Sequence, residues 1–162
     1  MHRIEIFGGL AVLVLTSVPV AAQQQHGSSH DRGASVMGFE QSRTTHHFSL
    51  YRDGGAIEVT VKDPADTTNR DAIRSHLPHI AMMFGQGSFD APMLVHESTT
   101  VPGTKAMATL KDRIRYTYVQ TPDGARVNIV TTDSQAVAAV HEFLMFQIKE
   151  HKTGDSIAVQ SR

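Results

Sequence analysis

Residues 46–61, HHFSLYRDGGAIEVTV, decide the fold, because apolar and polar side chains alternate on both sides of an Asp-Gly turn. Alternation with a period of two is typical of a half-buried strand, and Asp-Gly between two such runs is a strong hairpin signal. Phe48 and Leu50 share one face of the first strand, and His46 lies on the same face. The stretch therefore predicts a hairpin whose first strand carries a histidine on its core side.

A helical pattern follows this hairpin over residues 69–84. Its apolar stripe consists of Ile73, Leu77, Ile80 and Phe84. The hydroxyl of Thr68 is placed to cap the first turn. Pro78 removes one helical hydrogen bond, which predicts a kink in the middle of this helix.

The second half of the chain repeats this order. Residues 113–131, RIRYTYVQTPDGARVNIVT, form two alternating runs around a Pro-Asp-Gly turn. Thr132 and Gln135 have the spacing of a capping box for a helix over residues 133–152. The sequence thus predicts an α+β fold of two ββα repeats, with a four-stranded antiparallel sheet covered on one face by two helices.

The connection between the repeats, residues 85–113, is the least regular part of the chain and is punctuated by Gly and Pro. We expect a short strand over residues 93–96 and a short helix over residues 104–111. A connection of this length inside a compact domain is often functional.

The N-terminus has the pattern of a secretory signal peptide, with basic residues, an apolar run and a small-residue site before Gln23. The run is shorter than the roughly 20 residues that span a bilayer, so we expect cleavage after Ala22, with a retained anchor as the alternative. Residues 23–44 are rich in Gln, Ser, Gly and His and predict a flexible arm. Residues 45–162 remain as a single domain, exported to the periplasm or the extracellular space.

Composition argues against several partners. The chain has 15 basic and 16 acidic residues, so it lacks the concentrated positive charge that phosphate binding needs, and we expect no nucleic-acid partner. Trp is absent and only 6% of the residues are aromatic, which disfavours a base-stacking or sugar-stacking surface. Without cysteine the fold has no disulfide and depends on its core alone.

Ten histidines and seven methionines in a chain without cysteine suggest metal binding. Imidazole binds copper, zinc, nickel and iron, and thioether binds Cu(I), so copper or zinc is the expected ion. The candidate ligands lie on the first strand, on one flank of the first helix and on the second helix: His46, His76, His79, Met83 and His141.

Each candidate ligand also has a simpler interpretation. A histidine such as His141 on an apolar helix face is more often a core residue whose ring is hydrogen-bonded to a carbonyl or a carboxylate. His151 lies on the same stripe as His141, and His96 in the connection could fold back toward His76. No spacing among these residues matches a diagnostic metal motif.

The second helix is apolar on nearly every side. Phe143 and Phe146 lie off its main stripe, so either the connection or a second copy of the chain must cover them. A homodimer through this helix is therefore a further prediction.

Several phrases of the chain, spread over residues 39–162, resemble a family of small exported bacterial proteins of unknown function. They are TTHHF, DGGAI, NRDAIRSHLPHIAMMFG, FDAPMLVH, VPGTK, RVNIVTTD, HEFL and FQIKEHKTGD. Members of that family carry the label aspartate carbamoyltransferase. The chain does not support the label, because it lacks the Ser-Thr-Arg-Thr-Arg phosphate-binding motif and is about half as long as a transcarbamoylase. The resemblance implies export and assigns no active site.

Three classes of function therefore stay open. The first is binding of copper or zinc through His and Met, and the second is a metal-free ligand-binding or protein-interaction module. The third is a hydrolase or transferase, for which the sequence has no recognisable motif. Ser88 is the one Gly-flanked nucleophile candidate, and it lacks the glycine that a nucleophile elbow has two positions later.

Overall fold

The computed structural model describes residues 37–161. In chain order the elements are β1 (Thr44–Tyr51), β2 (Gly54–Val61), α1 (Thr67–Gly85), α2 (Asp90–His96), α3 (Thr104–Thr109), β3 (Arg115–Thr121), β4 (Gly124–Val130) and α4 (Ser134–His151). Short 3-10 turns, Gln41–Arg43 and Lys111–Arg113, precede β1 and β3. The predicted signal peptide and most of the predicted arm lie outside the described residues.

The four strands form one antiparallel sheet in the order β1-β2-β4-β3. The alternation that predicted each hairpin is also the pairing register, with Phe48 opposite Ile57 and Tyr118 opposite Val127. Ile57 in turn lies opposite Val127, so the two hairpins join through their second strands. The predicted α+β fold of two ββα units is confirmed.

Each long helix packs on the hairpin of the other repeat. Helix α1 packs mainly over β3 and β4, and α4 packs over β1 and β2, so each helix covers strands of the other repeat. The residues expected to share one core are all buried together: Leu77, Ile80, Val127, Ile129, Val140 and Leu144. Because both helices span the repeats, the sheet and its cover cannot separate into two independent halves.

Aspartates cap both long helices, next to the positions the sequence suggested. The side chain of Asp66, rather than Thr68, accepts from the amide of Asn69 at 3.1 Å at the start of α1. The Asp133 carboxylate, rather than the Thr132 hydroxyl, accepts from the amides of Gln135 and Ala136. A carboxylate suits this position because it satisfies open amides and also interacts favourably with the helix dipole.

Two expectations for the irregular parts were wrong. Residues 93–96, expected as a strand, are the last turns of α2, which ends at Glu97 in a left-handed conformation (φ 48°). Residues 37–44, which composition assigned to the arm, belong to the packed domain, since Phe39 is buried in the core and Thr44 begins β1. In both places a few apolar side chains are held by distant partners, which local composition does not reveal.

No helix between residues 37 and 161 has the length and apolar character needed to cross a bilayer.

Candidate functional site

An apolar cavity of about 70 Å³ lies where β1, α1, α2 and α4 meet. Its buried apolar lining includes Phe39, Phe48, Leu77, Phe84, Val95 and Phe143. These residues come from five separate stretches of chain, so the cavity exists only in the folded domain.

Four histidines complete the lining, one from each surrounding element. They are His46 of β1, His76 of α1, His96 of α2 and His151 of α4, and each is half-buried. The rings of His46 and His151 lie nearly parallel with their centres 5.4 Å apart. The ring of His96 meets His151 edge-on, with 5.2 Å between the ring centres. Three of these imidazoles, those of His46, His96 and His151, thus form a cluster of neighbouring rings.

Gln147 lies beside this cluster, one turn before His151 on α4. Its side chain lines the cavity and the residue is only 4% exposed. The His96 Nε2–H donates to Gln147 Oε1 at 3.2 Å, whereas Gln147 Nε2 has no hydrogen-bond partner among residues 37–161. A buried donor without a partner costs about 1–3 kcal/mol, so this amide is a group that a bound molecule could satisfy.

The cavity carries no negative charge of its own, because none of its described lining residues is acidic. Burial lowers the pKa of the His76 imidazole below its ordinary value, and the neighbouring His79 lowers it further. The His76 ring is consequently neutral at pH 7. This environment favours neutral or anionic guests over cations.

The five predicted metal ligands are not brought to one point. His46 and His76 line the cavity, but His79 is exposed on α1, and its Nδ1–H donates to the Ser75 carbonyl at 2.9 Å. Met83 is half-buried and lies outside the cavity lining.

His141 has a structural role near the middle of α4. Its Nε2–H donates to the carbonyls of Tyr51 and Gly54, at 2.8 Å and 3.0 Å, where the β1–β2 hairpin turns. A ring nitrogen that carries this proton cannot act as a metal ligand at the same time. The hydrogen-bonded core histidine considered from the sequence is therefore the form seen here.

Within the described part of the chain, no three or more His, Asp or Glu side chains are arranged to hold a metal ion. Metal binding by His46, His76, His79, Met83 and His141 stays a prediction, and the geometry does not favour that set. Of the histidines whose rings are in contact, His46 belongs to the predicted set, and His96 and His151 do not.

Sequence reasoning left His96, His151 and Gln147 out of the site. His151 lies on the stripe of α4 that pointed to His141, and His96 follows two apolar residues of α2, so both had a weak signal. Gln147 also had a signal in the sequence, because it lies between Phe146 and Ile148 on an apolar helix. Burial of its amide is costly unless the amide is hydrogen-bonded.

The aromatic residues of α4 are covered within the chain itself. Phe143 is buried edge-on against Phe84 and Phe89, with ring centres 5.8 Å and 6.1 Å away. Phe146 is half-buried against the ring of His96 at 5.0 Å. The connection between the repeats thus supplies the cover, and self-association through α4 stays a prediction.

No protein-family model matches the chain, and neither the curated proteins nor the solved structures contain a match to it.

Proposed function

We propose that this protein binds a small, largely apolar molecule in the cavity between β1, α1, α2 and α4, without a metal. One observation carries the proposal: a well-formed domain keeps an apolar cavity next to the buried side chain of Gln147, whose Nε2 has no hydrogen-bond partner among residues 37–161. Protein interiors are otherwise packed closely, and binding sites are typically apolar concavities with a few placed polar groups.

The volume sets the size of the guest. An engineered cavity of about 150 Å³ lined by apolar side chains binds benzene, so a cavity of about 70 Å³ has room for about three or four carbon atoms. The rest of the molecule must lie among the half-buried histidines, where the lining reaches solvent. A ligand of about five non-hydrogen atoms gains at most about 7.5 kcal/mol, so we expect micromolar to millimolar affinity.

A titration with 1-butanol, followed by methyl NMR, tests the proposal. The methyl signals of Ile57, Leu77 and Val95, which line the cavity, should shift and saturate together. Ala91 also lines the cavity, so Ala91→Leu fills it and should abolish these shifts.

Ala81→Leu is the matched control. Ala81 is a half-buried helical alanine that packs against the core but lies outside the cavity lining. This variant should bind butanol as the parent does. Equal shifts in the Ala91→Leu variant, or no saturable shifts in the parent, would show that the cavity is not a binding site.

Binding of copper or zinc is the second candidate. It is favoured by one observation, the contact of the His151 ring with the rings of His46 and His96. At a tetrahedral zinc with Zn–N distances of about 2.0–2.1 Å, neighbouring imidazole centres are also roughly 5 Å apart. Near-parallel His46 and His151 rings do not point to one centre, however, so ring rotation must accompany binding.

Metal-induced thermal stabilisation separates the two sets of candidate ligands. If a metal binds at the ring cluster, His151→Ala should abolish stabilisation by Cu or Zn, and His79→Ala should preserve it. If the predicted set binds the metal, His76→Ala together with His79→Ala should abolish it. A parent that neither ion stabilises would exclude this second function.

A further inference from the structure

The cavity has two chemically different ends, and the difference identifies a class of ligand. The buried end is formed by aromatic and aliphatic side chains, including Phe84 and Phe143. At the polar end, the Gln147 amide is hydrogen-bonded to the His96 ring, which in turn contacts the ring of His151. A molecule that fills both ends needs a short apolar tail and a polar head.

The Gln147 amide nitrogen at the polar end is a hydrogen-bond donor, and the imidazoles add further donors when they are protonated. Gln147 Oε1 already accepts from His96, so the group that Gln147 can offer to a guest is its Nε2 amide. An imidazole that takes up a proton donates through both ring nitrogens. A head group that accepts several hydrogen bonds therefore suits this end, and a carboxylate is such a group.

The charges around the cavity also favour a carboxylate as the head group of the ligand. Within the part of the chain that the structure describes, the titratable side chains that line the cavity are four imidazoles, one each from β1, α1, α2 and α4. The nearby carboxylates are engaged or directed elsewhere: Asp155 accepts from the His47 ring and the Phe48 amide, each at 2.9 Å, and the exposed Asp90 accepts from Ser88 Oγ. Glu97 and Glu150, which adjoin two of the histidines in sequence, are exposed and outside the lining.

We infer that the ligand is a short-chain monocarboxylate, whose tail of about three carbon atoms fills the apolar end while its carboxylate accepts from Gln147 Nε2 and the adjacent imidazoles. The inference rests on the proposed function, because it specifies the head group of the molecule bound in that cavity. Butyrate has the tail length and the head group that the cavity requires.

Binding of such an anion should be coupled to protonation. A carboxylate beside His96 and His151 stabilises their charged forms, so complex formation takes up a proton when the free rings are neutral. Affinity for butyrate should then fall as pH rises, by as much as tenfold per pH unit for one proton taken up. A neutral guest of the same size should show no such dependence.

Three probes of matched size test the inference: butyrate, 1-butanol and butylamine, titrated into the chain at pH 6 and pH 8 with methyl NMR of Val95 and Ile57 as the readout. Butyrate should bind best at pH 6 and weaken about tenfold or more at pH 8. Butanol should change by less than about twofold, and butylamine should bind most weakly because no acidic side chain among residues 37–161 lines the cavity.

Gln147→Met tests the head-group contact directly. It keeps the length of the side chain and removes the amide, so butyrate affinity should fall about tenfold or more, as expected for a hydrogen bond to a charged group. Butanol affinity should change by less than about threefold, which also shows that the variant retains a folded cavity. Replacing His96 and His151 together by Gln should remove the pH dependence.

The outcomes separate this inference from the proposed function. If butanol binds but butyrate is no tighter and shows no pH dependence, the cavity binds small molecules and the carboxylate is wrong. Tighter binding of butylamine than of butyrate, or unchanged butyrate binding in Gln147→Met, would overturn the inference as well. If neither butanol nor butyrate binds the parent, the proposed function itself fails.

Discussion

Helix α4 carries two histidines on the same stripe, His141 near its middle and His151 as its last residue, yet the two rings have different roles. The ring of His141 donates to two carbonyls of the β1–β2 turn. The ring of His151 contacts two other imidazoles beside a cavity. The helix thus has a closely packed region around His141 and Leu144 and a region that lines the cavity.

Gly55 shows how closely α4 packs against the sheet around Leu144. Leu144 lies so near Gly55 of β2 that a Cβ at Gly55 would collide with its side chain and would come within 2.5 Å of the Ser49 carbonyl oxygen. His151 and Phe84 instead line the cavity. A polar residue on an apolar face is structural where it is hydrogen-bonded to the backbone, as His141 is, and a polar residue beside a cavity is placed to contact a ligand.

The largest expected effect on stability is at Leu144, in the closely packed region of α4. Leu144 is fully buried, so Leu144→Ala should lower the free energy of unfolding by roughly 2–5 kcal/mol, measured by urea denaturation. A loss below about 1 kcal/mol would contradict the close packing of α4 on β1 and β2. Butanol binding at the cavity should persist in the folded fraction of this variant.

The two histidines of α4 provide a direct pair. His141→Ala leaves the Tyr51 and Gly54 carbonyls without this donor and should cost about 1–3 kcal/mol of unfolding free energy. His151→Ala should cost less than about 1 kcal/mol, because the ring is half-buried beside open space. Equal losses in the two variants would remove the distinction between structural and functional histidines.

Gln147→Met should raise stability while it lowers butyrate binding. The substitution removes a buried amide nitrogen that has no partner in the described chain, at the expense of one hydrogen bond from His96, so we expect a gain of about 1 kcal/mol. Denaturation in urea measures it. A clear loss of stability would mean that the Gln147 amide supports the fold, and the case for a retained binding group would weaken.

The smallest expected effect concerns pH. Since burial lowers the pKa of His76, the unfolded chain binds more protons than the folded one as pH falls through about 6.5, and the free energy of unfolding should fall with it. His76→Gln should flatten this dependence between pH 7.5 and pH 5.5. His79→Gln, at an exposed position of the same helix, should retain most of it because burial is the larger cause.

The fold could be predicted because its signals are local. Two Asp-Gly turns between alternating runs define the hairpins, and helical spacing from Ile73 to Phe84 defines α1. Residues 93–96 could not be assigned correctly, since four residues with three apolar members fit a strand or a helix equally well. The structure resolves this ambiguity through burial of Val95, a tertiary contact.

The site was predictable only in part, because it is made of long-range contacts. His46 was placed on the core side from strand alternation, and it lines the cavity. His76 and His79 were grouped by the helical wheel, yet of the two only His76 lines the cavity, and His79 is exposed. That His96 and His151 meet depends on how α2 and α4 pack, which spacing along the chain does not encode.

Xenon binding tests the difference between the packed region of α4 and the region that lines the cavity most directly. Xenon has no head group and enters only apolar space. In crystals of the chain under xenon pressure, we expect one atom in the cavity near Val95 and Phe143, and none near Leu144. In Ala91→Leu crystals the atom should be absent. Crystals that take up no xenon in the cavity lined by His151 and Phe84 would contradict the claim that the cavity can hold an apolar guest.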